Sequence, residues 1–450
     1  MTRLVRTIIC LTIACALSLS YCLFNLKHLA RNIGYDEVYY FHWVDNWKKD
    51  QVYYPQHLLF APSSVLFQKG FITLTGITNT AFIQRFKNIL FVSIGLSAFF
   101  LLFYVHSKRI LLSLSVAVLI GISGSLWGDA LQNETSAIPG VLINLVMFCL
   151  VFYRRSQKPA LFIVVFSVFN SLAILLHQAY LFTVPLVALM LLFSMPDKDA
   201  QPRVRRNIGR TFLYLFLVTC FVGGTYFYIG FVKLNLRLKD NPEGAQQYLG
   251  VPIHGNFMRY FYLIQAYGKW GKTQPEMVRL GVNGYLSSFV TTVRADQADL
   301  QDPLGKTHFS ANVTLALLTF FFLGFILFFV PMFRRYGVLY PVLLLWFAAG
   351  SLFIFWWEPA YIEHWIYVTI LTLVLGFMMM TTILSQIRQF MPRTKVYAAM
   401  CVVLWSFGAV AYQDNFTHTI LAQEKLWLPV SAQSPAWNDE YRMDSIYRTP

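Results

Sequence analysis

Apolar residues along this chain run in unbroken blocks rather than alternating with polar ones. Leu315 to Phe329, for example, is apolar on every side of a helix drawn through it. Strands of a membrane barrel would alternate over about ten residues, so the blocks predict helices. An α-helix needs about 17 to 25 residues to cross roughly 30 Å of hydrocarbon, and the blocks are of that length. Spans are predicted near 7–26, 86–105, 110–127, 137–153, 160–176, 180–195, 211–232, 311–332, 337–357, 364–385 and 396–412. The fold class that follows is an all-α integral membrane protein of about eleven transmembrane helices.

Polar residues between the blocks set the orientation. With the N-terminus in the cytoplasm, the cytoplasmic loops hold Lys108 and Arg109, Arg154, Arg155 and Lys158, Lys198, Arg203, Arg205, Arg206 and Arg210, Arg334 and Arg335, and Arg388, Arg393 and Lys395. The short opposite loops 128–136, 177–179 and 358–363 hold no Lys or Arg, as the positive-inside rule requires. The segment 56–78 is apolar, but Pro62, Gln68 and Lys69 interrupt it, and a crossing there would invert every later loop. It is therefore read as interfacial or re-entrant, within one long outer segment 27–85. A second, larger outer loop covers 233–310, with turn chemistry at Asn241-Pro242, Gly250, Pro252, Gly255 and Gly281. Residues 1–412 then form one polytopic membrane domain and 413–450 an extracytoplasmic C-terminal tail. Arg3 and Arg6 open an apolar run that reaches Phe24 without a clean small-x-small cleavage site, so the first span is expected to be retained.

Composition agrees with this picture: 57% of residues are hydrophobic and 13% charged, against about 25% charged in soluble domains. The formal charge of +15 comes with no basic stripe or zinc spacing, so nucleic acid is not expected as a partner, and membrane lipids are. All six cysteines lie in apolar stretches, which argues against a disulfide framework or a thiolate metal site.

Four clusters carry candidate chemistry, and the predicted topology puts all of them on the outer face. Asp36 and Glu37 follow the first span and suit a general base or a metal ligand, or else a solvated loop. Asp129 and Glu134 lie in the next outer loop, where capping of the following helix is an equal alternative. His177 and Gln178 form a tight outer turn; His177 suits a proton carrier or substrate contact, or a hydrogen-bonded turn residue. Glu358, Glu363 and His364 stand among tryptophans of an interfacial belt. From the 233–310 loop, Arg259, Arg279 and Arg294 are candidates for holding an anionic group, although loop cations commonly pair with lipid head groups.

With these residues in view, the chain resembles the GT-C superfamily of polytopic glycosyltransferases. Three places carry the resemblance: Asp36-Glu37 after the first span; Pro55-Gln56-His57-Leu58-Leu59-Phe60-Ala61-Pro62, similar to a Pro-x-His-Leu-Leu-x-x-Pro stretch of bacterial members; and Trp357-Glu358-Pro359 with Glu363-His364-Trp365. The resemblance implies a GT-C-like fold in a bacterial inner membrane. The implied partners are a polyprenyl-phosphate-linked sugar donor and a glycan, lipid or protein acceptor. It further implies Asp36 or Glu37 as the base that activates an acceptor hydroxyl, inversion at the anomeric carbon, and His57 or a loop arginine beside the leaving phosphate. No cofactor is required by it, and a divalent cation (Mg or Mn) stays open. Rival readings are a glycan polymerase or ligase, a lipid-linked glycan transporter, and a non-catalytic scaffold. Transporters favour ionisable residues at mid-membrane on broken helices, whereas the carboxylates here fall at helix ends.

Overall fold

The computed structural model describes residues 3–29, 35–46, 53, 57–153, 158–193, 203–234, 274–290, 309–357, 362–386 and 392–420. Every regular element among them is helical. In chain order these are α1 (Arg3–Lys27), α2 (Tyr35–Asp45), α3 (Phe60–Thr75), α4 (Thr80–Ser107), α5 (Ile110–Gly121), α6 (Gly124–Ala130), α7 (Ala137–Tyr153), α8 (Pro159–Leu176) and α9 (Thr183–Phe193). There follow α10 (Arg203–Val218), which runs on in wider turns to Lys233, then α11 (Gln274–Ser287), α12 (Phe309–Leu327), α13 (Phe329–Tyr336), α14 (Leu339–Trp357), α15 (Ile366–Gln386) and α16 (Arg393–Asn415). Short 3-10 turns at Gln178–Phe182 and Ile362–Trp365 lead into α9 and α15.

Each predicted span falls on helix, although 110–127 and 311–332 each fall on a bent pair. Among the described residues six helices are long and apolar enough to cross a membrane, eight if the two bent pairs count as one span each. Three further apolar helices, Ala137–Tyr153, Gln178–Phe193 and Leu339–Phe355, are shorter, so length alone supports six to eight crossings rather than eleven. The all-helical integral membrane class is as expected. At its centre lies α15, whose residues from Ile366 to Leu384 are all buried. A helix apolar all round belongs in such a place. By contrast α1 exposes Leu4, Ile8, Leu11, Leu19 and Leu23, the pattern of a lipid-facing helix.

The two bends have local causes. Gly121, Ser123 and Gly124 surround the 63° break between α5 and α6. Pro331, which lacks an N–H and cannot continue the α12 ladder, lies just beyond the 70° break before α13. Close approach is allowed by Gly95, where a Cβ would overlap Val141 and hold α4 away from α7.

The 56–78 segment forms α3, which packs on α2 and α4 and leaves Leu66 and Leu74 exposed. Gly76 ends it with φ 73°, returning its N–H to the Ile72 carbonyl. At 16 residues it is shorter than the helices long enough to cross a membrane. Asn79 then caps α4, its side chain accepting the Phe82 N–H at 2.8 Å. The helix therefore starts several residues before the predicted 86. Within the predicted loop 233–310 the described stretch 274–290 is tied down: Gly124 and Ser125 donate their backbone N–H groups to the carbonyls of Phe289 and Ser288. The start of the C-terminal tail also packs on the bundle, because the Asn415 amide donates to the Ile122 and Phe289 carbonyls at 2.7 Å each.

Candidate functional site

The site is built around the first turns of α4. Thr80, Gln84, Arg85, Lys87 and Asn88 are all buried there, an unusual density of polar groups at the mouth of an apolar helix. Each has a reason to be buried. Arg85 grips Glu37 of α2 through two charge-assisted bonds, Nε to Oε1 at 2.9 Å and Nη2 to Oε2 at 2.6 Å. Both side chains are 0% exposed. Lys87 donates to Ser64 Oγ of α3, reaches Asn133 Oδ1 at 3.5 Å, and lies 4.2 Å over the Phe60 ring. Asn88 donates to the carbonyls of Gln132 (2.8 Å) and Glu134 (3.1 Å).

Beyond this lies a carboxylate cluster assembled from three separate parts of the chain. The bend after α5 carries α6, and so Asp129, across one end of the bundle, where α6 packs on the 362–365 turn. Asp129, Glu134 and Glu363 each offer one oxygen within 4.8 Å of the others. Asp129 is 5% exposed, and neither of its oxygens has a hydrogen-bond partner among the described residues. The Ala137 backbone N–H, at the start of α7, gives it only weak electrostatic support. Burial, then the charges of Glu363 and Glu37, push its carboxyl well above the usual carboxylate range.

Three histidines line the adjoining side. His57 and His177 meet edge to face with ring centroids 4.7 Å apart, and His364 is close enough to act on both electrostatically. His57 donates from Nδ1 to the Leu176 carbonyl at 3.3 Å, and the Leu59 N–H donates to the Leu175 carbonyl at 2.9 Å. His57 and Leu59 thus satisfy carbonyls that the end of α8 leaves open. His177 Nδ1 accepts the Ala179 N–H, which leaves the proton of the neutral ring on Nε2. Burial brings His57 down to about 4, opposed by its bond to Leu176, and lowers His177 well below its ordinary value. Both are neutral at pH 7.

Of the residues singled out from sequence, Glu37, Asp129, Glu134, His57, His177, Glu363 and His364 come together in this region, linked by the contacts above. Gln178 is buried and donates to the Tyr226 hydroxyl at 3.2 Å. Arg279 is half-buried on α11, which packs against the 362–365 turn. Arg259, Arg294, Glu358 and the Asp36 side chain lie outside the described residues. Arg85, Lys87 and Asn88 were missed. Their signal was in plain view as Gln84-Arg85-Phe86-Lys87-Asn88, but two cations at the edge of a span resemble an ordinary loop until Glu37 is brought against them.

The residues fit a divalent cation. Four carboxylates (Glu37, Asp129, Glu134, Glu363) stand against two cations (Arg85, Lys87), a formal charge of −2 if all ionise. An all-oxygen donor set with an unpartnered buried carboxylate suits a hard ion such as Mg²⁺ or Mn²⁺. Asp129, Glu134 and Glu363 would hold it.

No family model and no curated protein matches the chain. Among solved structures it is similar in fold to the Archaeoglobus fulgidus oligosaccharyltransferase, solved in complex with Zn and sulfate, with a TM-score of 0.53 at 12% sequence identity. That match covers 90% of this chain and 53% of the other, so the chain spans about half the length of that enzyme. The likeness is one of fold, and it agrees with the GT-C-like architecture expected from the sequence.

Proposed function

We propose that this chain is a membrane glycosyltransferase of GT-C type that moves a sugar from a polyprenyl-phosphate carrier to an acceptor hydroxyl at the outer end of the bundle. The observation that carries the reading is the convergence of Asp129, Glu134 and Glu363 at that end, with Asp129 buried and unpartnered. With Asp129, Glu134 and Glu363 ionised the site would hold a divalent cation, and such an ion would supply charge neutralisation for a departing phosphate.

In this reading the neutral histidines and Gln178 contact the polar groups of donor and acceptor, while the surrounding helices exclude water. Both oxygens of Glu37 already accept hydrogen bonds, from Arg85 and from the Asn133 N–H. The base role therefore falls to its neighbour Asp36, and inversion at the anomeric carbon follows from direct attack. Two bent spans also match what a transporter would use. Only α5/α6 brings a carboxylate near its bend, whereas the α12/α13 break at Phe328 has no ionisable residue within it.

The test is to incubate the purified protein in lipid with Mg²⁺ or Mn²⁺ and a panel of polyprenyl-phosphate sugars, following loss of the donor. Asp36→Asn and Asp129→Asn should each lose turnover by 100-fold or more while still inserting in membranes, on the order of what general base catalysis contributes. A wild type that consumes no donor in the panel would sink the proposal.

A further inference from the structure

The acidic cluster needs its loop held in place, and the residues holding it are not its ligands. Glu134 lies in the connection between α6 and α7, a stretch with no regular structure of its own to fix its position. Yet three consecutive residues of that connection are fixed from outside. The Asn88 amide donates to the carbonyls on both sides of Asn133, those of Gln132 and Glu134. The Asn133 N–H donates to Glu37 Oε1, and Asn133 Oδ1 faces Lys87. Glu37 in turn is locked by Arg85.

We infer that Asn88, together with the Glu37–Arg85 pair, acts as a positioning device that sets the 132–134 backbone so that the Glu134 carboxylate meets Asp129 and Glu363. The inference rests on the reading of those three carboxylates as a cation site. It assigns a function to polar groups that are otherwise costly at the mouth of an apolar helix: Asn88 spends its amide on a loop and leaves its Oδ1 without a partner. It also gives Glu37 a role distinct from proton transfer. The two α4 residues and Glu37 approach the loop from different elements, so its position depends on how α2 seats on α4, and the cation site is completed only when the first outer segment is docked.

Outer residues of this kind change metal affinity by roughly 10- to 100-fold when removed. The experiment measures Mn²⁺ alone, by electron paramagnetic resonance of the free ion, titrated into the full-length protein in lipid nanodiscs. Wild type, Glu134→Gln, Asn88→Leu and Asn170→Leu are compared, each with its thermal midpoint. Asn170 is a control for the general cost of losing a buried amide, because it bonds Tyr214 and Thr183 in a different part of the bundle.

The expected result is one Mn²⁺ bound by wild type and by Asn170→Leu, an affinity at least 10-fold weaker for Asn88→Leu, and a comparable drop in midpoint for both leucine variants. Asn88→Ser keeps one donor for one of the two carbonyls. It is expected to fall between, and it serves if the leucine variant does not accumulate. Unchanged Mn²⁺ affinity in Asn88→Leu or Asn88→Ser overturns the positioning role and leaves the cation site standing. Absence of Mn²⁺ binding by wild type overturns the cation site and the positioning role with it.

Discussion

The buried Glu37–Arg85 pair lends itself to a double-mutant cycle. Its carboxylate accepts two bonds from Arg85 and one from the Asn133 N–H, and neither partner is exposed to solvent. Arg85→Met takes two donors from a carboxylate in a dry site, and Glu37→Leu takes from the guanidinium the carboxylate that it grips. Breaking one side of such a pair costs about 3–5 kcal/mol, whereas replacing both by apolar residues is often close to neutral. The double variant still loses the Asn133 N–H acceptor, which adds about 1–3 kcal/mol. The sum of the two single losses should therefore exceed the loss in the double variant by about 3 kcal/mol or more, a coupling in the upper range for residues in direct contact. The assay is reversible unfolding in mixed micelles with increasing SDS, followed by tryptophan fluorescence for the four proteins. Additive losses, within about 0.5 kcal/mol, would refute the idea that these groups stabilise each other.

Three other predictions follow from the site and its packing. Asp129 has a carboxyl raised above its ordinary value of 3.8, so above that pH the native state holds a proton that the unfolded state has lost, and stability falls as pH rises. Asp129→Asn should therefore melt higher than wild type at pH 8 in EDTA, converge with it towards pH 4, and lose the stabilisation that Mn²⁺ gives wild type; a lower midpoint than wild type in EDTA at pH 8 would contradict the burial argument. His57 moves the opposite way: lowered from 6.5 to about 4, it contributes stability that is fully present above pH 6.5 and is lost as pH falls towards 4. That displacement corresponds to about 3 kcal/mol, so the stability-against-pH slope over this window should flatten in His57→Phe, as read from unfolding midpoints at matched pH. Gly95→Ala forces α4 and α7 apart at Val141 and should cost about 1–3 kcal/mol in the same unfolding assay, with no loss if the helices can slide past one another freely.

Much of this was legible in order along the chain. Apolar block length located the long apolar helices, because in hydrocarbon a spanning segment must satisfy its own backbone and that requirement is local; α2 and α11, in segments read as loops, were not located. The distribution of lysine and arginine also assigned loops to ends, and the carboxylates and histidines predicted to share one end do converge: Asp129, Glu134 and Glu363 in one cluster, His57 beside His177. What sequence could not give was pairing. Asp36 and Glu37 read as equivalent neighbours, yet Glu37 is taken by Arg85, 48 positions away, and Asp129 and Glu363, more than 200 positions apart, share a site. Such pairings arise from how helices pack, and packing depends on shape complementarity between faces rather than on any one segment. The sequence by itself therefore determined the class, the long apolar helices and which residues could share an end. Only the tertiary structure decided that Arg85, Lys87 and Asn88 face inward, which carboxylate is neutralised and which stays unpartnered, since the energy of a buried charge is set by neighbours that the chain brings together only on folding.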